Sequence, residues 1–137
     1  MVDWFAPGFK AGGPIRSAVN FADQLENELD IFIFTTDRDL GNTEAYVNVK
    51  VDQWIQVNHK NVYYASPSTL NWNAIQKIIS EINPDYIYLN SMFSRFFSVY
   101  PLVMKRLGRL NSKIVMAPRG MLKGSALQHK SIKKKIF

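Results

Sequence analysis

Gly12 and Gly13, in the stretch "FKAGGPIRSAVNFADQL" (residues 9–25), stand directly before Pro14 and a strongly patterned helix. Two glycines there let the backbone come close to a neighbour, and the helix N-terminus behind them favours negative charge. The neighbour is a phosphate, a sugar or simply a tight strand-to-helix turn; the pair alone leaves all three open. It is not a Walker loop, because no Gly-Lys-Ser/Thr closes it, and "GGPIRS" lacks the last glycine of the dinucleotide fingerprint. Arg119, held between Pro118 and Gly120, offers a fixed fork of donors suited to phosphate or carboxylate. A surface arginine paired with water is its plainer reading.

Other chemistry is thinly represented. Cysteine is absent, which removes disulfides, thiol catalysis and cysteine-based zinc sites together and fits a reducing compartment. His59 and His129 have no ligand-like spacing around them, so neither a metal site nor a Ser-His-Asp arrangement is expected. The carboxylates form no convincing acid–base pair. Asp3 and Asp37 fall near strand ends, where capping or loop solvation accounts for them more simply.

Charge is unevenly placed. Residues 1–100 hold eleven acids and seven bases, whereas residues 101–137 hold ten bases and no acid. Such a block suits a phosphate-bearing partner, whether nucleic acid, nucleotide or anionic lipid, or else is a solvated basic face. No apolar run approaches the roughly 20 residues of a membrane span. No basic region followed by an apolar stretch opens the chain, so no signal peptide is expected.

The elements that must position these residues follow from periodicity. Residues 2–5 read as the end of a strand, and Pro14 sits at a helix's first turn, where its missing N–H costs nothing. Ile15, Ala18, Val19, Ala22, Leu25 and Leu29 form a helical stripe. "DIFIFTT" at 30–36 has strand character, and the alternation at 46–51 and the run at 62–65 predict a strand pair. A turn and N-cap at 66–69 precede a helix carrying Ile75, Ile78, Ile79 and Ile82, stopped by Pro84. A strand at 86–90 follows. The next helix face runs from Phe93 to Leu107, broken or kinked at Pro101 and capped by Gly108. A last strand at 113–117 leads to a helix starting near Leu127. This alternation predicts an α/β fold: a Rossmann-like, largely parallel sheet with helices on both faces. Both ends read as cut, so a piece of a larger protein is expected. Ligands of such sheets collect at the carboxyl ends of the strands, which places Lys10, Gly12, Gly13, Asn90, Ser91, Arg95, Arg119 and Lys123 along one rim.

"APGFKAGGPIRSAVNFADQL" resembles the first loop and helix of retaining family 4 glycosyltransferases, where Gly-Gly follows the first strand and an arginine, here Arg16, lies on the next turn. "VDQWIQV…NVYYAS", "PDYIYLNSMFSRFFSVYPL" and "IVMAPRGMLKGSALQHKSIKKKIF" look like successive segments of the same domain, in order. The resemblance implies one half of a GT-B architecture, with residues 1–137 as the N-terminal, acceptor-side domain and the C-terminal donor-binding domain absent from this chain. It implies transfer of a sugar from a nucleotide diphosphate sugar to a glycan or lipid-linked acceptor hydroxyl, with retention, in surface polysaccharide synthesis. The fragment alone is then expected to be inactive. By the same resemblance Gly12 and Gly13 lie against the donor's diphosphate and sugar, and Lys10, Arg16, Asn90, Ser91, Arg119 and Lys123 line the cleft beside the acceptor. No catalytic residue is assigned and no metal or other cofactor is implied. Many relatives carry a histidine about where Arg119 stands, and an arginine cannot take over a proton role. The basic last third would attract an anionic membrane, giving a cytoplasmic protein peripheral at the inner face of the plasma membrane. Two other classes compete. One is a non-catalytic nucleotide- or nucleic-acid-binding module; the interleaved aromatics of a single-strand binder are missing, and nucleic acid is not the expected partner. The other is a protein–protein module.

Overall fold

Pro14 opens the first helix as its position predicts: α1 spans Gly13–Leu25, and Ile15, Ala18 and Ala22 are its buried stripe. Leu29 lies past its end and is exposed. The computed structural model describes residues 1–118. Arg119, Lys123 and the helix expected near Leu127 lie outside them.

The described chain is mixed α/β. β1 (Phe32–Thr36) runs parallel to β3 (Lys60–Ala65), with Ile33 beside Val62, and β2 (Trp54–Val57) pairs antiparallel with β3. The hairpin between β2 and β3 turns on Asn58 and His59, both at positive φ (48° and 64°), which suits a two-residue turn between twisted strands. β4 (Tyr86–Leu89) and β5 (Lys113–Met116) form a second, parallel pair with Ile87 beside Ile114. Where one largely parallel sheet was expected, the described residues form a three-stranded and a two-stranded sheet.

Residues 2–5 were expected to end a strand, and the bonding falls instead on residues 1–3. They form no regular strand, yet they hydrogen-bond to both sheets. Val2 N–H donates to Phe34 O at 3.1 Å, and Thr36 N–H to Asp3 O at 3.4 Å, one residue further along than an even parallel ladder would place it. On the other side the Met1 amine donates to Tyr88 O at 2.7 Å and Asn90 N–H to Met1 O at 3.2 Å.

The strand expected at 46–51 is a correction. Positive φ at Asn48 (62°) and Asp52 (57°) breaks extension, Val47 is exposed, and the strand lies instead at β2. Tyr46 packs its ring edge-on against Tyr64 from the loop. α2 (Trp72–Ile82) is capped by Asn71, whose side chain accepts from Ala74 N–H, and not by residues 66–69. Its far end closes on Asn83 in the left-handed region, just before Pro84. The break expected at Pro101 is real. A π-helical turn, Arg95–Val99, hands over to α3 (Tyr100–Arg106), and Gly108 at φ 70° follows its end.

Side chains alternate between two cores, as strand periodicity requires. Phe34, Tyr63 and Ala65 join Ile75, Ile78, Ile79, Leu89, Phe97 and Met104 under α2 and α3. Ile33, Val62 and Tyr64 join Val2, Phe5, Ala18 and Ala22 under α1. One close approach is tight. A Cβ at Gly8 would lie 2.3 Å from the Tyr46 hydroxyl and 2.9 Å from Phe5 O. Gly8→Ala is therefore expected to destabilise the fold by about 1–3 kcal/mol. Chemical unfolding would measure it, and Tyr46→Phe in the same chain should recover part of the loss.

Candidate functional site

The bonding of residues 1–3 between β1 and β4 decides where the chain's polar loops meet. Asp3 and Trp4 leave one carboxyl end, Asn90 and Ser91 leave the neighbouring end of β4, and the first turn of α1 stands over both. Between them lies an open cavity of about 400 Å³, lined by Asp3, Trp4, Gly13, Pro14, Ser17, Asn90 and Ser91. A separate crevice of about 70 Å³ under α1 is walled by Val2, Phe5, Ala18, Phe21 and other apolar neighbours, and belongs to the packing of that helix.

The two glycines have different reasons to be glycine. Gly12 is the N-cap of α1 at φ 63°, ψ −114°, a conformation costly for any other residue. Gly13 has no positive φ, and a Cβ built on it meets nothing within 4 Å. Gly13 is nevertheless helical directly before Pro14, where the proline ring crowds any Cβ, so the turn itself favours glycine there. No side chain caps the start of α1, and Pro14 contributes no donor there.

The loop leading to Gly12 is fastened from outside. The buried Asp39 carboxylate accepts from Phe9 N–H at 2.9 Å, from Lys10 N–H at 3.1 Å and from Leu40 N–H at 2.8 Å. Burial alone would raise this carboxyl, but the three backbone donors, helped by the charge of Lys10, outweigh it and hold it below the usual range. Gly12 N–H closes the loop on Phe9 O at 2.9 Å, and the Tyr64 hydroxyl donates to Ala6 O. On the β4 side, the fully buried Ser98 donates from its hydroxyl to Ser91 O at 2.6 Å, tying the wall to the π-helical turn. Arg95 reaches from that turn to the Tyr100 hydroxyl at 3.0 Å and lies over the Phe96 and Tyr100 rings.

Of the expected site residues, the structure brings Gly13, Asn90 and Ser91 into one wall and sets Gly12 next to it. Lys10 is exposed and turned to Asn42 Oδ1 at 2.5 Å, and Arg16 is exposed on the first turn of α1. Neither lines the cavity. Sequence reasoning passed over Trp4 and Ser17, and set Asp3 aside as a capping or solvated residue. The strand-end rule applied to residues 3 and 4 would have found Asp3 and Trp4; Ser17 lies inside α1, where that rule does not reach. Nothing in "DRDLGNTEA" signalled that Asp39 would clamp a loop thirty residues earlier. Comparison with protein-family models, with curated proteins and with solved structures finds no match to this chain.

Proposed function

We propose that this chain is the acceptor-side domain of a retaining glycosyltransferase that draws on a nucleotide diphosphate sugar, one half of a GT-B enzyme whose donor-binding domain is not in this sequence. The observation that carries the reading is the open cavity of about 400 Å³ bordered by the backbone of Gly13 and by Asn90 and Ser91. With no side chain at Gly13, a ligand there can reach the main chain.

The fold supports the same reading at a finer level. If the bonds of residues 1–3 join the two sheets, the order becomes β2-β3-β1-(1–3)-β4-β5, parallel except for β2, with α1 on one face and α2 and α3 on the other. That is a Rossmann-like order in which the chain reverses direction of growth between residues 1–3 and β4. Ligands of such sheets sit at that switch point, and the cavity between Trp4 and Asn90 occupies it.

In the proposed reaction the acceptor hydroxyl oxygen bonds to the anomeric carbon as the bond from that carbon to the diphosphate oxygen breaks. The hydroxyl proton leaves with the nucleoside diphosphate. Electrostatic support of that leaving group is the main task of the protein. Gly12, with Lys10 and Arg16 exposed on either side of it, would face the diphosphate, while Gly13, Asn90 and Ser91 border the sugars. Arg119 and Lys123 keep the roles the resemblance implies. Leu102 and Val103 on α3 and Leu107 just past its end are exposed beside the exposed Lys105, Arg106 and Arg109, a surface suited to an anionic membrane. Among the described residues no helix is long and apolar enough to cross one.

Gly13→Ala tests the reading. The Cβ meets nothing beyond its chain neighbours but stands against the Pro14 ring, so the variant should lose a little thermal stability and stay folded. Transfer by the full-length protein from a nucleotide sugar should nevertheless fall by an order of magnitude or more. Unchanged transfer by a well-folded variant would defeat the proposal.

A further inference from the structure

Among the described residues that line the 400 Å³ cavity, Asp3 alone carries a charge. The apolar part of the wall comes from Trp4 and Pro14, and the rest is small or uncharged polar. The volume is within the range of small-molecule sites. An anion entering here would meet the positive end of α1, but that end has lost one donor to Pro14 and shares the cavity with Asp3. Like charges at close quarters repel strongly where protein walls lower the dielectric constant. An ionised carboxylate accepts hydrogen bonds and donates none, so its natural partner is a group rich in hydroxyls. An indole offers a broad, rigid, mostly apolar face with one donor at its edge. A sugar ring presents both complements: hydroxyls around its rim and C–H bonds across its face.

We propose that Asp3 and Trp4 make this cavity selective for an electrically neutral sugar ring on the acceptor, and that uronic acids and phosphorylated sugars are excluded from it by the Asp3 charge. The inference rests on the glycosyltransferase reading for the word acceptor, and adds to it the class of sugar accepted and the two residues that choose it. Asp3 receives the ring's hydroxyls, Trp4 covers its apolar face, and Gly13 leaves room for the ring to reach the main chain. The phosphates of the donor stay outside, on the exposed side of Gly12. Asp3 and Trp4 act here by selecting the ligand, and no proton transfer is assigned to either.

Matched pairs of ligands test this: the methyl glycosides of glucose, galactose and mannose against the corresponding methyl uronosides, which differ in the carboxylate at C6. Binding is followed by the indole N–H resonance of Trp4, identified by its loss in Trp4→Phe. At least one neutral glycoside should shift that resonance, with its uronoside about tenfold weaker or more. Asp3→Asn should bring the pair to within about twofold, and Asp3→Glu, which keeps the charge, should preserve the gap. Equal affinity in the unaltered chain, a gap that survives Asp3→Asn, or no shift of Trp4 with any glycoside at millimolar concentration would overturn the inference. Transfer assays on the full-length protein separate the two claims. Transfer to neutral and acidic acceptors alike defeats the selectivity and leaves the enzyme standing. Charge-selective binding without transfer from any nucleotide sugar defeats the enzyme and leaves the selectivity of the cavity.

Discussion

Replacing Asp39 with alanine is expected to destabilise the domain by about 3 kcal/mol and to loosen the glycine loop without touching the cavity. Its carboxylate accepts from the amides of Phe9, Lys10 and Leu40, and it is almost wholly buried. Hydrogen bonds to a charged group contribute about 1.5–3 kcal/mol each, and donors stranded by their loss add a desolvation penalty. Water entering the gap returns part of this, hence the intermediate figure. Asp39→Asn should also be costly, because its amide brings donors to face the amides of the loop. Acid supplies a second reading of the same contacts. The carboxyl is held below its ordinary 3.8 in the folded chain, so its contribution is complete above that value. It is lost as pH falls through the lower, folded value. Urea midpoints followed from neutral pH to about pH 2 should therefore fall more steeply in the unaltered protein than in Asp39→Ala. Parallel curves would show that the clamp contributes little.

The second large effect is expected at Lys60, at the start of β3. Its ammonium is buried and held by Asp23 at 2.7 Å and Glu26 at 2.5 Å, both on or just past the last turn of α1, and donates to Asn58 O at 3.2 Å. Removing both acids together, Asp23→Ala with Glu26→Ala, leaves a buried cation with one neutral acceptor and should cost about 3 kcal/mol. Adding Lys60→Met to that pair should restore most of the loss, because an apolar chain of similar length needs no partner. Hydrogen bonds donated to Asp23 and then to Glu26 raise the lysine above its ordinary 10.5. Its contribution is accordingly complete below that value and lost only as strongly alkaline pH passes the folded value. Guanidinium unfolding of the three variants at neutral pH measures the cycle. A double variant as stable as the parent would show that solvent reaches the ammonium freely.

Much of this architecture could be read from periodicity because apolar stripes recur where the fold buries them. Ile15, Ala18 and Ala22 mark α1, and Ile75, Ile78 and Ile79 mark α2, at the spacing a helix needs. The alternation at 46–51 misled because its tyrosine and one valine pack from a loop: Tyr46 and Val49 touch the α1 core while Val47 faces solvent. Two left-handed residues nearby decide the matter, and asparagine and aspartate are the types that tolerate that conformation. The π-helical turn left no periodic mark. Val99 N–H bonds to Ser94 O at 2.8 Å, one residue beyond an α-helical bond, just ahead of a proline that has no donor to give Phe97. At the site, Gly13, Asn90 and Ser91 were legible from their places after strands. Asp39 was not, because a carboxylate that binds amides thirty residues away has no local pattern to betray it.

The pairing of residues 1–3 also sets a timetable for the growing polypeptide. Met1 bonds to Tyr88, 87 residues later in the sequence. At ribosomal speeds of about 5–20 residues per second, the nascent segment waits roughly 4–17 s for the strand that completes its second side. Until then residues 1–3, bonded on one side to β1, leave their other side open, and contacts of such long range are slow to form. Chaperone capture or aggregation during synthesis should therefore strike hardest at chains stalled before residue 90.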